Sequence, residues 1–321
     1  MRTIINRLQQ EFPDLNFKSQ YPLRKQTYFK IGGQAEVYLE LSQKKEIIEV
    51  ISFCRNNHIK FTILGGASNV FIDEDGISGL VLHLKNNGFH ELKQTIDQDK
   101  QLIKVGAGLK TALLVKKTTA LGYTGLEFFL GVPGTVGGAV FNNAHYLEEL
   151  ISAYIYQVEV LNSAGEIKTV SHDECEFKYD YSRFQQTQEI ILEVTFALKK
   201  GDAEESLALI KKATQYRADT QPLGLPSSGC IFKNTPNSEQ LKKIFPQFKD
   251  RQFISAGFLI DQAGLKGVKV GGIEVSTKHA AFFVNNGDGT ADDLKKLIKV
   301  VKKAVKNKFD LTLEQEVFYL S

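Results

Sequence analysis

The sequence has few cysteines, and this limits both disulfides and metal sites. Cys54, Cys175 and Cys230 are the three cysteines of the 321-residue chain. Their number and spacing do not form a disulfide framework or a Cys-x-x-Cys metal motif. His172 and Cys175 have the spacing of two metal ligands, but no neighbouring residue completes a tetrahedral set. We therefore interpret this pair as structural and expect no metal.

The chain also lacks long apolar runs and an excess of charge of one sign. No segment approaches the roughly 18 apolar residues that a transmembrane helix needs. The N-terminal residues MRTIINRLQQEF have neither the apolar core nor the cleavage site of a signal peptide, so we expect a cytoplasmic protein. With 40 basic and 37 acidic residues, the formal net charge of +3 gives no indication of nucleic-acid binding. We expect no nucleic-acid partner, no membrane partner, and a monomer.

The pattern of apolar residues indicates an α+β protein of more than one domain. Hydrophobic residues make up 42% of the chain and charged residues 24%, as in ordinary folded proteins. Thr290 is a good N-cap for the clearest helix, which has acidic residues in its first turn and one apolar stripe. Other predicted helices lie at 3–12, 44–57, 111–121 and 204–218. Predicted strands lie at 28–41, 61–64, 70–72, 80–84, 102–105, 154–161, 167–170 and 190–198, with a hairpin turn at 162–165.

Two glycine-rich segments are the main candidates for ligand binding. Leu64-Gly65-Gly66-Ala67-Ser68-Asn69 can turn sharply and direct backbone N–H groups towards an anion, although such a turn more often only joins two strands. The segment at 125–144 holds five glycines, and we expect it to expose its backbone to a large ligand rather than to pack in a core. Neither segment has Rossmann or P-loop spacing, which argues against a classical dehydrogenase or a nucleotide kinase.

These segments, LGGASNVFIDEDGISGLV and GLEFFLGVPGTVGGAVFNNA, resemble the flavin-binding segments of the UDP-N-acetylenolpyruvoylglucosamine reductase family. Their order and separation match, TYFKIGG is similar to that family's opening signature, and the likeness covers nearly the whole chain. It implies a vanillyl-alcohol-oxidase-type (PCMH-type) FAD-binding domain followed by a smaller α+β substrate domain. The FAD-binding region would be 1–200, as two subdomains split near 85–100, and the UDP-sugar domain 201–321. The sequence leaves little room for the tyrosine-bearing substrate loop of one subgroup, so we expect the loop-lacking subgroup.

The resemblance also implies the cofactors and the reaction. NADPH would reduce a non-covalent FAD, and hydride would then pass to UDP-N-acetylglucosamine enolpyruvate to give UDP-N-acetylmuramate, a peptidoglycan precursor. The pyrophosphate of FAD would lie against backbone amides. The residues assigned to FAD by the resemblance are Gly65, Gly66, Ala67, Ser68, Asn69, Gly131, Pro133, Gly134, Thr135, Gly137, Gly138 and Asn143.

Two residues are catalytic candidates. Cys230, in PSSGCIFKN, resembles the family's proton donor, which is serine in most members. A thiol with a pKa of roughly 8.5 is mostly protonated at neutral pH yet gives up its proton readily. An isolated cysteine is most often a buried structural residue, but the Ser- and Gly-rich loop favours the donor role. Glu316, in LEQEV, resembles the family's C-terminal catalytic glutamate, and Glu314 would share its face if the segment is extended.

The substrate site should contain cations, because hydride addition beside a carboxylate increases negative charge there. The family usually has Tyr-Arg-x-Ser where this chain has Asp180 in the arginine's position. We expect Arg183 or Arg217 to compensate; the alternatives are another FAD-dependent oxidoreductase of the same fold, or a catalytically impaired UDP-sugar-binding homologue. The residues that the resemblance assigns to the substrate are Tyr179, Ser182, Arg183, Arg217, Lys233 and Asn234.

Overall fold

The computed structural model describes residues 3–97, 99–147 and 149–321. These residues form two compact units, each assembled from separate stretches of the chain. Unit 1 contains the residues up to Tyr21, Ala35–Gly66 and Ser78–Arg217. Unit 2 contains Pro22–Gln34, Ala67–Ile77 and Ala218–Ser321. In the described part of the chain, no helix is long and apolar enough to cross a membrane.

Both units contain helices and strands. The α-helices of the described residues are α1 (Ile4–Glu11), α2 (Lys44–Asn56), α3 (Thr111–Ala120), α4 (Val136–Asn142), α5 (Ala203–Thr220), α6 (Glu239–Ile244), α7 (Ala256–Gln262) and α8 (Ala291–Phe309). The strands are β1 (Lys18–Pro22), β2 (Gln34–Leu41), β3 (Phe61–Leu64), β4 (Val70–Ile72), β5 (Ile77–Leu84), β6 (Phe89–Ile96), β7 (Lys100–Gly106), β8 (Tyr123–Thr124), β9 (His145–Tyr146), β10 (Glu149–Leu150), β11 (Ile155–Leu161), β12 (Ile167–Ser171), β13 (Ile190–Lys200), β14 (Thr235–Pro236), β15 (Phe253–Ile254), β16 (Lys269–Val270), β17 (Ile273–Val275), β18 (Phe283–Asn285) and β19 (Phe318–Leu320).

Unit 1 contains two sheets, and each has its own hydrophobic core. A four-stranded sheet in the order β1-β2-β5-β3 packs against α1 and α2, with Leu8, Val50 and Leu82 in the core. A larger sheet in the order β12-β11-β13-β7-β6, with β8 beside β13, packs against α3 and α4. The predicted hairpin is confirmed: β11 and β12 pair in antiparallel fashion, and Gly165 takes a φ of 84° in the turn.

Unit 2 has one core, built around the C-terminal helix. The predicted stripe of α8 is buried, including Leu294, Leu297 and Val301. Thr290 forms a capping box with Asp293, as expected for an N-cap. Antiparallel strands β16-β17-β18 pack in this core, and β19 pairs with β4 in parallel. This arrangement fixes the end of the chain beside the residues that follow Asn69.

The prediction of a strand at 28–31 is wrong. The Thr27 hydroxyl donates to the Ile31 carbonyl at 2.9 Å and accepts from the Ile31 N–H at 3.2 Å. These local bonds favour a turn, and Lys30 has a φ of 56°.

The expectation that segment 125–144 cannot pack in a core is also wrong. Glu127–Gly131 forms a 3₁₀ turn that buries Phe129, and α4 buries Val136 and Val140. The apolar residues between the glycines therefore enter the core of the larger sheet. The glycines leave the chain free to turn between these buried positions.

The compact units do not follow the predicted division at residue 200. Helix α5 is fastened to unit 1 because the Ser206 hydroxyl donates to Glu127 at 2.6 Å and the Tyr146 hydroxyl donates to the Ala213 carbonyl at 3.3 Å. Unit 1 consequently extends to Arg217. The assignment of FAD to 1–200 and of the substrate to 201–321 concerns ligands and stays a prediction.

Candidate functional site

In unit 1, the two glycine-rich segments meet through their backbones. A Cβ atom built on Gly66 would lie 2.3 Å from the Cα of Gly134, and one built on Gly65 would lie 2.7 Å from the Thr135 hydroxyl. Neither approach is possible for a real Cβ atom beside backbone, so a side chain at residue 66 would force the segments apart. The structure thus brings the two predicted flavin segments together.

Helix α4 begins directly after this contact. Thr135 is its N-cap, and the hydroxyl accepts from the Gly138 N–H at 3.5 Å. The Gly137 N–H donates to the Ala107 carbonyl at 2.8 Å, and a Cβ on Gly137 would lie 2.9 Å from the Ala107 Cβ. Because of these contacts, the second glycine segment is held firmly against the end of β7.

Asn143 ends α4 in the left-handed conformation, with a φ of 47°. It is fully buried, and its amide oxygen accepts from the Ser152 N–H at 3.2 Å while its amide nitrogen donates to the Lys178 carbonyl at 2.8 Å. Both side-chain groups are therefore used inside unit 1. We propose that Asn143 supports the flavin segment from behind.

Glu127 is a residue that sequence reasoning missed. Its side chain is buried and accepts from the Gly125 N–H at 2.7 Å as well as from Ser206. A Cβ on Gly125 would lie 2.3 Å from the Tyr154 ring. The carboxylate thus fixes the start of the glycine segment to α5. A glutamate flanked by apolar residues is the sequence signal that could have revealed it.

His83 supports the first glycine segment. It lies opposite Leu64 on the neighbouring parallel strand, is buried, and makes a 2.6 Å hydrogen bond with the Tyr38 hydroxyl. Burial, and secondarily Lys85, lowers the pKa of His83 to about 4, so the ring is neutral at neutral pH. The Gly65 backbone is a further partner of this ring.

Asp180 is buried and pairs with a histidine that sequence reasoning did not select. Its Oδ1 lies 3.0 Å from Nδ1 of His145, and the His145 ring is 4.8 Å from the Tyr179 ring. Ser182, a predicted substrate residue, is also buried, and its hydroxyl donates to the Phe141 carbonyl at 2.7 Å. The Tyr179–Ser182 loop is therefore anchored to α4.

The two arginines proposed to compensate for Asp180 have different surroundings. Arg183 forms a two-pronged ion pair with Glu189, at 3.0 and 2.7 Å, and also donates to the Glu174 carbonyl at 3.1 Å. Hydrogen bonding to Glu189 raises the pKa of Arg183, so its charge is largely matched by that carboxylate. This leaves Arg217 as the better-placed cation.

Arg217 lies against the second glycine segment. Its guanidinium is 4.7 Å from the centre of the Tyr146 ring, and a Cβ on Gly131 would lie 2.6 Å from its Cδ. Burial raises the pKa of Tyr146, and the arginine charge opposes this rise. The structure thus brings a predicted substrate residue into contact with a predicted flavin residue in unit 1.

In unit 2, the segment that carries Cys230 lies between two other segments. Cys230 forms a bridge with Phe282, and the Ile231 N–H donates to the Ala281 carbonyl at 2.9 Å. On the other side, the Glu316 N–H donates to the Ile231 carbonyl at 2.9 Å. Cys230 is half-buried. The two predicted catalytic residues are thus placed side by side by backbone pairing.

Asn69, predicted to bind FAD, is part of the same arrangement. Its backbone carbonyl accepts from the Phe318 N–H at 3.0 Å, and its amide nitrogen donates to the Glu316 carbonyl at 3.4 Å. Its amide oxygen is buried without a hydrogen-bond partner among the described residues. Ser228, just before Cys230, donates to the Val70 carbonyl at 3.2 Å. The first glycine segment therefore continues into the neighbourhood of the catalytic candidates.

Lys233 and Asn234 already have protein partners. Lys233 forms an ion pair with Glu314 at 2.5 Å, and the side-chain oxygen of Asn234 accepts from the Ala256 N–H at 3.2 Å, at the start of α7. His279 fits a structural role, because its Nδ1 accepts from the Ala281 N–H at 3.3 Å and burial lowers its pKa.

Comparison with known proteins first defines the class. Residues 35–171 match the family described as FAD binding domain. The fold also matches the crystal structure of UDP-N-acetylenolpyruvylglucosamine reductase from Thermus caldophilus, with a TM-score of 0.75, 29% identity, and coverage of 96% of this chain and 99% of that chain. The chain is an FAD-binding oxidoreductase with a PCMH-type domain, and the predicted fold class is confirmed.

The particular family follows from closer relatives. Residues 221–320 match the family described as UDP-N-acetylenolpyruvoylglucosamine reductase, C-terminal domain. The reductase of that name from Chlamydia felis is 39% identical over 92% of this chain and 91% of its own length. The one from Listeria monocytogenes serotype 4a is 37% identical over 98% of both. The chain belongs to the UDP-N-acetylenolpyruvoylglucosamine reductase family.

The glycine segments of unit 1 fit an FAD cofactor. A Cβ on Gly138 would meet only the Thr135 hydroxyl, at an ordinary 3.6 Å, so this glycine is not required by the contacts tested within the protein. The side-chain oxygen of Asn142, on the same helix, is buried without a hydrogen-bond partner among the described residues. Room beside Gly138 and an unused acceptor nearby are what a ligand contact would leave in the protein alone.

Proposed function

We propose that this protein reduces UDP-N-acetylglucosamine enolpyruvate to UDP-N-acetylmuramate, with FAD as cofactor and NADPH as the source of hydride, in the synthesis of peptidoglycan precursors. The observation that carries the proposal is the relationship to reductases of this name over 98% of the chain. It is supported by the pairing that places Cys230 beside Glu316.

Unit 1 would bind most of the FAD, whose chemistry is to accept hydride from NADPH and to deliver it to the alkene. The closely packed backbones at Gly66 and Gly134 would allow the flavin's pyrophosphate to approach N–H groups without side-chain obstruction. The proposed cofactor residues are those predicted from the sequence: Gly65, Gly66, Ala67, Ser68, Asn69, Gly131, Pro133, Gly134, Thr135, Gly137 and Gly138, with Asn143 in the supporting role.

Cys230 would supply the proton that completes the reduction. Once hydride has reached one alkene carbon, the Cys230 thiol would release its proton to the adjacent carbon. The backbone pairing at Ile231 would hold the thiol in place, and Glu316 would position it or stabilise the developing enolate when protonated. The resulting thiolate would be reprotonated by solvent before the next turnover.

The remaining site residues would bind the UDP-sugar. We assign Arg217 as the main compensating cation, because Arg183 is matched by Glu189. Lys233 would have to exchange its ion pair with the exposed Glu314 for the substrate, which costs little at the surface. The full set is Tyr179, Ser182, Arg183, Arg217, Lys233 and Asn234.

We further propose that the protein is a cytoplasmic monomer of the loop-lacking subgroup, without nucleic-acid or membrane partners. The near-balance of 40 basic and 37 acidic residues supports the absence of a nucleic-acid partner. The proposed division gives FAD to residues 1–200, as two subdomains split near 85–100, and the UDP-sugar to 201–321.

The test is to purify the protein, record its visible spectrum, and follow NADPH oxidation with and without UDP-N-acetylglucosamine enolpyruvate. We expect a yellow protein whose NADPH consumption requires that substrate. A yellow protein that transfers electrons only to oxygen would identify another flavin oxidoreductase. One that binds the UDP-sugar without turnover would identify an impaired homologue, for which Asp180 is the candidate cause. A colourless protein that does not take up FAD would refute the proposal.

A further inference from the structure

The carboxylate of Asp180 is buried but only half satisfied. The residue is 6% exposed, and its Oδ1 lies 3.0 Å from Nδ1 of His145. Its Oδ2 is shielded from solvent and has no hydrogen-bond partner among the described residues. A buried acceptor without a donor is unfavourable, and such groups in folded proteins usually meet a ligand or an ordered water. Oδ2 therefore requires a donor from outside the protein.

The backbone holds this carboxylate in one position. Asp180 has a φ of 50°, a conformation that costs free energy for an aspartate. The Gln185 amide donates to the carbonyls of Asp180 and Phe141, both at 3.1 Å, and Ser182 donates to Phe141 as well. Phe141 belongs to α4, the helix that follows the second glycine segment. Relaxation of the loop away from the unpaired oxygen is thus restrained.

His145 extends the polar pair. When Nδ1 carries the proton and donates it to Asp180, Nε2 on the far side of the ring is an acceptor. The adjacent Tyr179 ring, 4.8 Å away between centroids, restricts the tilt of the imidazole. Neither hydrogen-bonding atom of the histidine other than Nδ1 has a described protein partner in the structure. The pair consequently presents two acceptors, Oδ2 of Asp180 and Nε2 of His145.

We propose that Asp180 and His145 together bind a ligand group that carries O–H or N–H donors, and so determine which ligand unit 1 accepts. This inference rests on the proposed function and deepens it. Arginine, the usual family residue at position 180, would offer only donors to a ligand, whereas this pair offers acceptors. The hydroxyls of FAD, the hydroxyls of the UDP-sugar and the carboxamide of NADPH share the required chemistry.

The experiment compares Asp180→Asn and His145→Ala with the unmodified protein. Asparagine keeps the shape and an acceptor for His145 but turns the free oxygen into a donor. For each protein we would measure the Kd of FAD for the apoprotein, the KM of the UDP substrate, the KM of NADPH, and the melting temperature without ligands. The matched control is Asp173→Asn, because Asp173 and His172 form a second His–Asp pair, 3.2 Å apart, on the exposed surface.

We expect Asp180→Asn to weaken one of the three ligands by about tenfold or more, the usual effect of losing a hydrogen bond to a charged group. The other two constants and all constants of the control should stay within about twofold. His145→Ala should weaken the same ligand, and the double variant should lose less than the product of the two effects, because the residues act as one unit. The melting temperature of the ligand-free protein should not fall in Asp180→Asn, since the unpaired oxygen is unfavourable without ligand.

The inference is overturned if both single variants keep all three constants within about twofold of the unmodified protein. A lower melting temperature with an equal loss for every ligand would likewise overturn it and assign the pair a structural role. If Asp180→Asn does not fold, His145→Ala alone decides by the same criteria. Failure of the proposed function is seen separately, as absence of substrate-dependent turnover in the unmodified protein, and FAD affinity can still be measured in that case.

Discussion

At the scale of single residues, the proposed proton donor lies in a well-defined backbone environment. Cys230 bridges to Phe282, while the next residue, Ile231, bonds to Ala281 on one side and to Glu316 on the other. These bonds use backbone atoms only. The thiol can therefore be exchanged for a hydroxyl or a hydrogen without loss of the pairing that positions it.

We predict that Cys230→Ala lowers kcat by about 10²–10⁴-fold, the range expected for loss of a general acid. The reduction of FAD by NADPH should be unchanged, because it does not use this proton. Rapid-mixing measurements of flavin reduction and of flavin reoxidation by the UDP substrate would separate the two steps.

The serine variant is the control for this prediction. Cys230→Ser restores the hydroxyl that most family members carry, so we expect it to retain far more of the reoxidation rate than the alanine variant. If Cys230→Ala reoxidises as fast as the unmodified protein, the thiol is not the donor.

At the scale of elements, α4 joins the proposed flavin contact to the Asp180 loop. Its N-cap Thr135 touches the position of Gly65, and its last turn holds Ser182 through the carbonyl of Phe141. A change at one end of this short helix can therefore reach the other end through a few bonds. The unused space beside Gly138 marks where FAD would contact the helix.

We predict that Gly138→Ala weakens FAD binding by about tenfold or more, while the apoprotein is as stable as before or up to about 1 kcal/mol more stable, because alanine favours a helix. Fluorescence titration of the apoprotein with FAD and urea unfolding of the apoprotein would measure the two quantities.

Gly66→Ala is the contrasting variant. Its Cβ would lie 2.3 Å from the Cα of Gly134, so it should lower both stability and FAD affinity. Unchanged FAD affinity in Gly138→Ala would remove this glycine from the proposed site.

A second set of elements, α2, β7, β11 and β13, is joined by alternating charges. Lys104 lies 3.1 Å from Glu159 and 3.0 Å from Glu193, and Lys44 lies 2.6 Å from Glu193 and also contacts Glu159. Burial alone would raise the pKa of Glu193, but the hydrogen bonds and charges of the two lysines outweigh it and hold this pKa below its usual value. The native protein therefore binds fewer protons here than the unfolded chain as the pH falls.

Because the native pKa of Glu193 is depressed, its contribution to stability is present above the unfolded pKa of about 4.3 and is lost as the pH falls through the native pKa. We predict that Glu193→Gln lowers the free energy of unfolding by about 1 kcal/mol at neutral pH and makes its decline towards acid shallower. Urea unfolding at a series of pH values would measure this. The exposed Glu204→Gln should keep the slope of the unmodified protein, and an equal slope in both variants would contradict the account.

The sequence was sufficient for elements whose pattern is complete within the element. Helix α8 has a cap at Thr290, acidic residues in its first turn and a full apolar stripe, and all three are present in the structure. The strand at Phe89–Ile96 was missed because its side chains are mostly exposed and show no clear alternation. The turn at Thr27–Ile31 was mistaken for a strand because one hydroxyl, rather than the apolar pattern, decides its shape.

The site was predictable only where a motif carries it. The segment containing Cys230 and the two glycine segments were recognised from their residues. Glu127 and His145 were not, because each acts through a partner distant in sequence or with no recognisable spacing: Ser206 for the former, Asp180 for the latter. Such pairs depend on how the chain folds back on itself.

At the scale of the whole molecule, the two units share the chemistry between them by chain segment. The first glycine segment changes from unit 1 to unit 2 between Gly66 and Ala67. Unit 1 carries Arg217 and the second glycine segment, whereas unit 2 carries Cys230 and Glu316. Neither unit holds the complete set of proposed residues, so we expect catalysis to require the full chain.

A single-turnover experiment without oxygen tests the central claim most directly. The purified protein would be reduced with one equivalent of NADPH, mixed with UDP-N-acetylglucosamine enolpyruvate, and monitored by its visible flavin absorbance and by mass spectrometry of the product. The account predicts that the absorbance of oxidised flavin returns and that the product carries two more hydrogen atoms than the substrate. Reduced flavin that stays reduced while the substrate mass is unchanged would contradict it.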